Sequence, residues 1–291
     1  MTTLGRLYAA TPTPLQRDFS VDIGLLAQHC ARVLKDGADG VILFGTTGEG
    51  TFFSAAEKRA ALARLIEAGI AADRILVATG ANALRDAADM LNTVRDFGCA
   101  AGLVLPPYFT KAIDDDGLEE WYAALIAAAP DTPFLLYHIP AVAGVGISPE
   151  LTRRLMRRFP RHILGIKDST RDSALAKALL PDALRGLYVS TEADVAGYLA
   201  GGGAGIISAS LNVSMALAPG ATRDGAGPAA QALSAARRLF ERFPIVSATK
   251  IALAERYGEP AWRRMAPPHR PLAPQDEAQL LAGLLDLEQL P

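Results

Sequence analysis

The chain is short of cysteine: Cys30 and Cys99 are the only two in 291 residues, far apart and each in or at the end of a helical pattern. That excludes a disulfide framework and makes a reducing, cytoplasmic setting the expectation. The first stretch, "MTTLGRLYAATPTP", lacks the charged segment and long apolar run of a signal peptide. No apolar run approaches the roughly 18 residues that a bilayer span needs, so no membrane partner is expected. An excess of one charge is missing too. With 29 Lys and Arg against 31 Asp and Glu, nothing resembles the broad basic footprint of a nucleic-acid binder. The four histidines, at 29, 138, 162 and 269, show no ligand spacing, so no metal is expected. The acidic "DDD" at 114–116 reads as compensation of a helix N-terminus rather than as a cation site, and "RRLMRR" at 153–158 as a solvated helix face.

What the chain has is apolar residues, half of the total, arranged as an alternation. Strand candidates are "RLYAA" (6–10), "GVILFG" (40–45), "RILVATG" (74–80), "AGLVLP" (101–106), "PFLLYH" (133–138), "ILGIK" (163–167), "GLYVS" (186–190) and "AGIISA" (204–209). They are rich in Val, Ile and Leu with little polar alternation, as strands covered on both faces of a parallel sheet are. Helical patterns lie between them, near 21–36, 54–69, 82–98, 116–129, 149–159, 173–180 and 192–200. Ser54 with Glu57 reads as a capping box, and Ser148 before Pro149 as an N-cap with a first-turn proline. Eight βα units predict an α/β fold, a closed (β/α)8 barrel over residues 1–222, with an open doubly wound sheet as the alternative. Residues 223–291 predict a three-helix extension packed on the barrel: 223–243, 244–258 and 274–290.

In such a barrel, polar residues at the C-terminal strand ends carry the chemistry. Lys167 ends "HILGIK". Burial disfavours the charged form of a lysine and makes it a nucleophile toward carbonyls, able to form a Schiff base. The alternative is a strand-end lysine that reaches solvent or pairs with Asp168. Lysines 35, 58, 111, 177 and 250 sit in helix or loop contexts and compete weakly. Tyr137 ends the preceding strand, where a phenol can relay a proton or merely cap the core. The loop "GTTGEG" (45–50) has neither the P-loop spacing and lysine nor the G-x-G-x-x-G pattern. Its amides and the hydroxyls of Thr46 and Thr47 form a nest the size of a carboxylate, or else a tight βα turn.

With "AATPTP" (9–14), "GTTGEG", "LPPYF" (105–109), "YHIP" (137–140), "GIKDST" (165–170) and "GGGAGIISASLN" (201–212), the chain resembles the dihydrodipicolinate synthase / N-acetylneuraminate lyase family. These are pyruvate-handling Schiff-base lyases. The resemblance implies a barrel with a C-terminal helical extension and a homotetramer built as a dimer of dimers. It makes Lys167 the Schiff-base lysine and Tyr137 the proton shuttle, with Thr46 hydrogen-bonded to Tyr137. Thr47 and Gly48 would hold the keto-acid carboxylate, and Ile207 would line the site through its main chain. The lysine imine would serve as the electron sink without metal or organic cofactor, the partners being pyruvate or a 2-keto acid and an aldehyde.

Three positions depart from the pattern. The arginine expected five residues after the tyrosine of dihydrodipicolinate-forming members is Val142, their second tyrosine after "PY" is Phe109, and His138 replaces an asparagine. Val142 and Phe109 disfavour dihydrodipicolinate synthase activity. Asp168 in "KDST" looks more like the branch acting on 2-keto-3-deoxy acids. The leading expectation is thus a 2-keto-3-deoxy acid aldolase. A dehydratase or hydratase-aldolase comes next, then dihydrodipicolinate synthase. The reading of another class is a non-catalytic keto-acid sensor, motivated by Phe109. Selectivity is expected from loops near 139–146 and 190–195, where Thr191 and Glu192 would touch substrate hydroxyls or start a helix.

Overall fold

The structure, a computed structural model, describes residues 3–170, 173–180 and 186–288. Among these, β1 (Leu7–Ala10), β2 (Gly40–Leu43), β3 (Ile75–Ala78), β4 (Ala101–Val104), β5 (Phe134–His138), β6 (Ile163–Asp168), β7 (Leu187–Val189) and β8 (Gly205–Ser208) form the strands. They pair in parallel and in chain order, and β1 pairs with β8, which closes the barrel and excludes the open sheet. The helices of the βα units are α1 (Ile23–Lys35), α2 (Ala55–Glu67), α3 (Leu84–Asp96), α4 (Asp115–Ala128), a short α5 (Pro140–Ala143), α6 (Pro149–Arg158), α7 (Ser173–Leu179) and α8 (Val195–Ala200). Two short helices, α9 (Leu211–Ser214) and α10 (Ala218–Arg223), lead into α11 (Pro228–Phe240), α12 (Ile245–Tyr257) and α13 (Pro274–Glu288). The sequence reading had no helix at α5, α9 or α10, where two or fewer turns leave no periodicity to detect. Residues 289 and 290 of the expected last helix lie outside the described residues.

Local chemistry sets the boundaries. The Ser54–Glu57 capping box opens α2, and Ser148 accepts from the Leu151 amide with Pro149 in the first turn of α6. Asp114 of "DDD" is the N-cap of α4, while Asp116 and Glu119 pair with Arg154 of α6. Both charge runs therefore join two neighbouring helices at the surface, a little more than a solvated face.

Strand side chains alternate between two apolar layers. Leu135 and Tyr137 of β5 point into the barrel with Leu103 and Ile207, whereas Phe134 and Leu136 face the helices. β6 breaks this alternation. Ile163 and Ile166, three residues apart, both face the helices, and Leu164 packs on the inner layer. The register with β5 shifts between Phe134–Ile163 and Leu135–Gly165, so one residue of β6 is a bulge. Gly165 occupies it at φ 155°, and a Cβ there would stand 2.0 Å from the Gly186 carbonyl oxygen. Without the extra residue, strict alternation would turn residue 167 toward the helices; with it, Lys167 faces the barrel.

α12 is covered on all sides, with every residue from Val246 to Ala254 buried. It is a central helix, more deeply built in than the sequence reading of a packed-on extension implies. Lys250, one of the lysines read as an ordinary helix residue, is fully buried and ion-pairs with Glu49 of the "GTTGEG" loop. Its Nζ also donates to the Arg264 carbonyl at 2.7 Å, while Glu49 Oε2 accepts from the Ala266 amide at 2.7 Å. Burial lowers the Lys250 pKa, opposed by Glu49. Tyr257, at the other end of α12, contacts His29 at 2.7 Å, and His29 contacts Asn212 at 2.9 Å. Asn212 then donates to the Ala10 carbonyl at the end of β1. Burial holds the His29 pKa down at about 4, so it is neutral at pH 7.

Two outcomes follow from these constraints. Lys250→Met leaves a buried carboxylate uncompensated and should cost about 3–5 kcal/mol in denaturant unfolding; a loss below about 1 kcal/mol would show that the pair is not what holds the loop. Gly165→Ala forces β6 away from the segment at Gly186 and should cost about 1–3 kcal/mol in denaturant unfolding. An unchanged unfolding free energy would mean that the bulge tolerates a side chain.

Candidate active site

The C-terminal strand ends surround a cavity of about 330 Å³, at the small end of ligand sites. Lys167 lines it from β6 and is 4% exposed. It stands directly opposite Tyr137 of β5 in the strand register, with Nζ 4.5 Å from the phenol ring centroid. The Nζ thus sits over the face of the phenol ring. Asp168 alternates to the other side of the strand, where it accepts from the amide and hydroxyl of Thr170. The reading of Lys167 as a surface lysine is therefore excluded.

The Tyr137 and Thr46 hydroxyls are 3.0 Å apart, which ties the end of β5 to the loop after β2. Thr47 and Ile207 line the same cavity, both buried. Gly48 lies behind them. A Cβ at this position would stand 2.8 Å from the Thr11 carbonyl, and Gly48 oxygen accepts from Thr13 at 2.7 Å. Its glycine is needed for this close approach of two loops, and, unlike Thr47, Gly48 does not line the cavity. Thr191 does not line the cavity. Its hydroxyl accepts weakly from the Ala193 amide at 3.4 Å, and Ser190 reaches the cavity in its place. The serine was missed because one residue decides which side of a strand end a side chain leaves.

Val142 is 65% exposed at the mouth of the cavity and offers no polar group. Phe109 is 81% exposed and lines neither this cavity nor the adjoining one of about 260 Å³, which shares Tyr137 and Thr46. His138 lines neither cavity: its Nδ1 accepts from the Ile147 amide at 2.8 Å and burial lowers its pKa.

The other lysines sit away from Lys167. Lys58 was read as ordinary, yet it is buried, donates to the Thr79 carbonyl at 2.7 Å, and has its pKa pulled to about 8 by burial. Lys111 donates to the Ala143 carbonyl, and the side chain of Lys177 lies outside the described residues. Arg237 of α11 and Glu241, which caps the C-terminus of that helix, also line the Lys167 cavity. Sequence reasoning missed both, because nothing local marks a helix 70 residues downstream as part of a barrel mouth. Among the described residues no cluster of metal-ligand type is present, and no helix is long and apolar enough to cross a membrane.

The profile of the Dihydrodipicolinate synthetase family matches residues 3–279. The 4-hydroxy-tetrahydrodipicolinate synthase of Synechocystis sp. is 30% identical over 297 residues, covering 99% of this chain and 97% of that one. An uncharacterized DapA-like lyase of Chloroflexus aurantiacus is 34% identical, covering 85% of each chain. The crystal structure of dihydrodipicolinate synthase from Agrobacterium tumefaciens superposes with a TM-score of 0.89 at 31% identity, over 97% of this chain and 99% of that one. With a match over nearly its full length, a closed barrel and a buried strand-end lysine beside a tyrosine, the chain belongs to the dihydrodipicolinate synthetase family of lyases.

Proposed function

We propose that the protein is a Schiff-base aldolase that cleaves or forms a 2-keto-3-deoxy acid, with pyruvate and an aldehyde as the other reactants. The observation that carries this reading is the joint placement of Lys167, Tyr137 and Thr46 in one small cavity, with Lys167 opposite Tyr137 and Thr46 bonded to it.

Lys167 Nζ attacks the keto carbon while Thr47 and the surrounding loop amides hold the carboxylate. Tyr137 gives a proton to the carbinolamine oxygen, which leaves as water, and the iminium forms. The phenolate then takes the proton of the C4 hydroxyl as the C3–C4 bond breaks. The bonding pair enters the iminium, giving an enamine and a free aldehyde. Tyr137 returns its proton to C3, and water releases pyruvate from the lysine. Each proton that leaves one atom arrives at another through a single phenol, which Thr46 keeps in line. The covalent imine supplies the electron sink, so this scheme calls on no metal or organic cofactor.

The names of the similar proteins favour a second reading, synthesis of 4-hydroxy-tetrahydrodipicolinate. Val142 speaks against it, since an exposed aliphatic side chain at the cavity mouth cannot hold the carboxylate of a charged aldehyde.

Borohydride reduction in the presence of pyruvate should add one pyruvyl unit to the protein by intact mass and none to Lys167→Ala. An adduct that persists in that variant, on Lys58 for instance, overturns the assignment. Tyr137→Phe should keep binding pyruvate while kcat for pyruvate release from 2-keto-3-deoxy acids falls by about 10²–10⁴-fold. A variant with wild-type kcat would remove Tyr137 from the proton path.

A further inference from the structure

The chain leaves the barrel at His138, the last residue of β5, and re-enters a helix at Ser148, the N-cap of α6. The loop between them walls the outer part of the site. Ile139 and Val142 line both cavities, Ala141 the Lys167 cavity and Ala143 the adjoining one. None of these four has a polar side chain, so what they give the site is shape. Shape of that kind is only as definite as the backbone that carries it.

The first half of the loop curls on itself as α5, where the Val142 and Ala143 amides donate to the Ile139 carbonyl and Gly144 to that of Pro140. Lys111 Nζ steadies this turn from outside by donating to the Ala143 carbonyl at 2.7 Å. The second half is fastened by His138, whose Nδ1 accepts from the Ile147 amide at 2.8 Å and so joins positions nine residues apart. Gly146 admits the ring: a Cβ there would stand 3.3 Å from His138 Cε1. Ile147 is 1% exposed, so its amide has no water to turn to, and a buried N–H without a partner is costly. Burial favours the neutral ring, against the pull of Asp168. A neutral ring that accepts at Nδ1 carries its proton on Nε2. Tyr137 faces the barrel and the next residue faces away. The side chain beside the phenol therefore lines neither cavity, yet it ties down the wall beyond it.

Resting on the Schiff-base reading above, we infer that His138 is a positioning residue. Through the Ile147 amide it sets the wall of Ile139, Ala141 and Val142, and with it the fit of whatever the substrate carries beyond its 2-keto acid. Lys167, Thr46 and Thr47 stand on β6 and on the loop after β2, so the handling of pyruvate does not pass through this bond.

The test separates the acceptor from the shape. Leucine and asparagine branch at the same carbon as the imidazole, but only asparagine puts an acceptor, Oδ1, where Nδ1 stands; glutamine carries its oxygen one bond farther out. Pyruvate release is followed from the 2-keto-3-deoxy acid that the protein cleaves fastest, beginning with 2-keto-3-deoxygluconate. His138→Leu should raise KM by about fivefold or more, the scale of one net hydrogen bond, with kcat held within about twofold. His138→Asn should bring KM back to within about twofold of the unsubstituted protein, and His138→Gln should not. Hydrogen exchange at the Ile147 amide should quicken by about fivefold or more in the Leu and Gln variants and not in the Asn variant. Borohydride trapping with pyruvate should be the same in all of them. An unchanged KM in His138→Leu, an equal rise in the Leu and Asn variants, or loss of trapping in a folded His138→Leu overturns the inference. If the Leu variant does not fold, Asn against Gln decides alone, and equal KM in the two overturns it. In the unsubstituted protein, no adduct, or an adduct without cleavage of any such acid, overturns the function proposed above and this inference with it. An adduct and cleavage with KM indifferent to the acceptor overturn the inference alone.

Discussion

The extra residue that β6 carries at Gly165 decides what the rest of the molecule can do, because strand side chains alternate and one inserted position exchanges the two faces. Lys167 looks into the barrel mouth for that reason, and lies opposite Tyr137 because the shifted register continues to the strand end. The condition for the bulge is local and severe. Gly165 and Gly186 approach so closely that a Cβ on either would meet the other segment's carbonyl oxygen, at 2.0 Å or 1.9 Å. Two glycines without any polar group therefore place the one amine that reaches the cavity from a strand.

Much of this was legible beforehand, and for a clear reason. Parallel strands buried on both faces must be apolar throughout, so "GVILFG" and "AGIISA" announce themselves without an alignment. Capping boxes and first-turn prolines are equally local, and Ser54 and Ser148 sit where their neighbours predict. Lys167, Tyr137 and Thr46 could be picked out because strand ends in a barrel share one rim. What could not be read is pairing across long separations. Glu49 and Lys250 are 201 positions apart, and each alone looks like an ordinary charged residue. Ser190 against Thr191 failed for the opposite reason, since the difference is a single step of strand phase. Arg237 and Glu241 combine both problems: they lie far along the chain, at the C-terminal end of a helix whose other face is core.

The site joins a small, generic half to a particular one. Thr46, Thr47, Tyr137 and Lys167, to which the proposed reaction assigns the 2-keto acid, all come from the loop after β2 and the ends of β5 and β6. Val142, Ser190, Arg237 and Glu241 surround the remainder of the cavity and differ in kind: one apolar side chain, one hydroxyl and two charged groups in contact.

The Glu49–Lys250 contact has one more consequence, of a thermodynamic kind. The loop that carries Thr46 and Thr47 is fastened to α12 by a buried charge pair, and α12 is surrounded by the other terminal helices. A keto acid that binds only the ordered loop must then stabilise those helices as well, by RT ln(1 + [L]/Kd) for free ligand L. Occupancy of the cavity and solvent protection of the Val246–Ala254 amides become two readings of a single equilibrium. The carboxyl-terminal helices are in this sense part of the ligand's binding energy, and the first residue of α12, Ile245, also lines the Lys167 cavity directly.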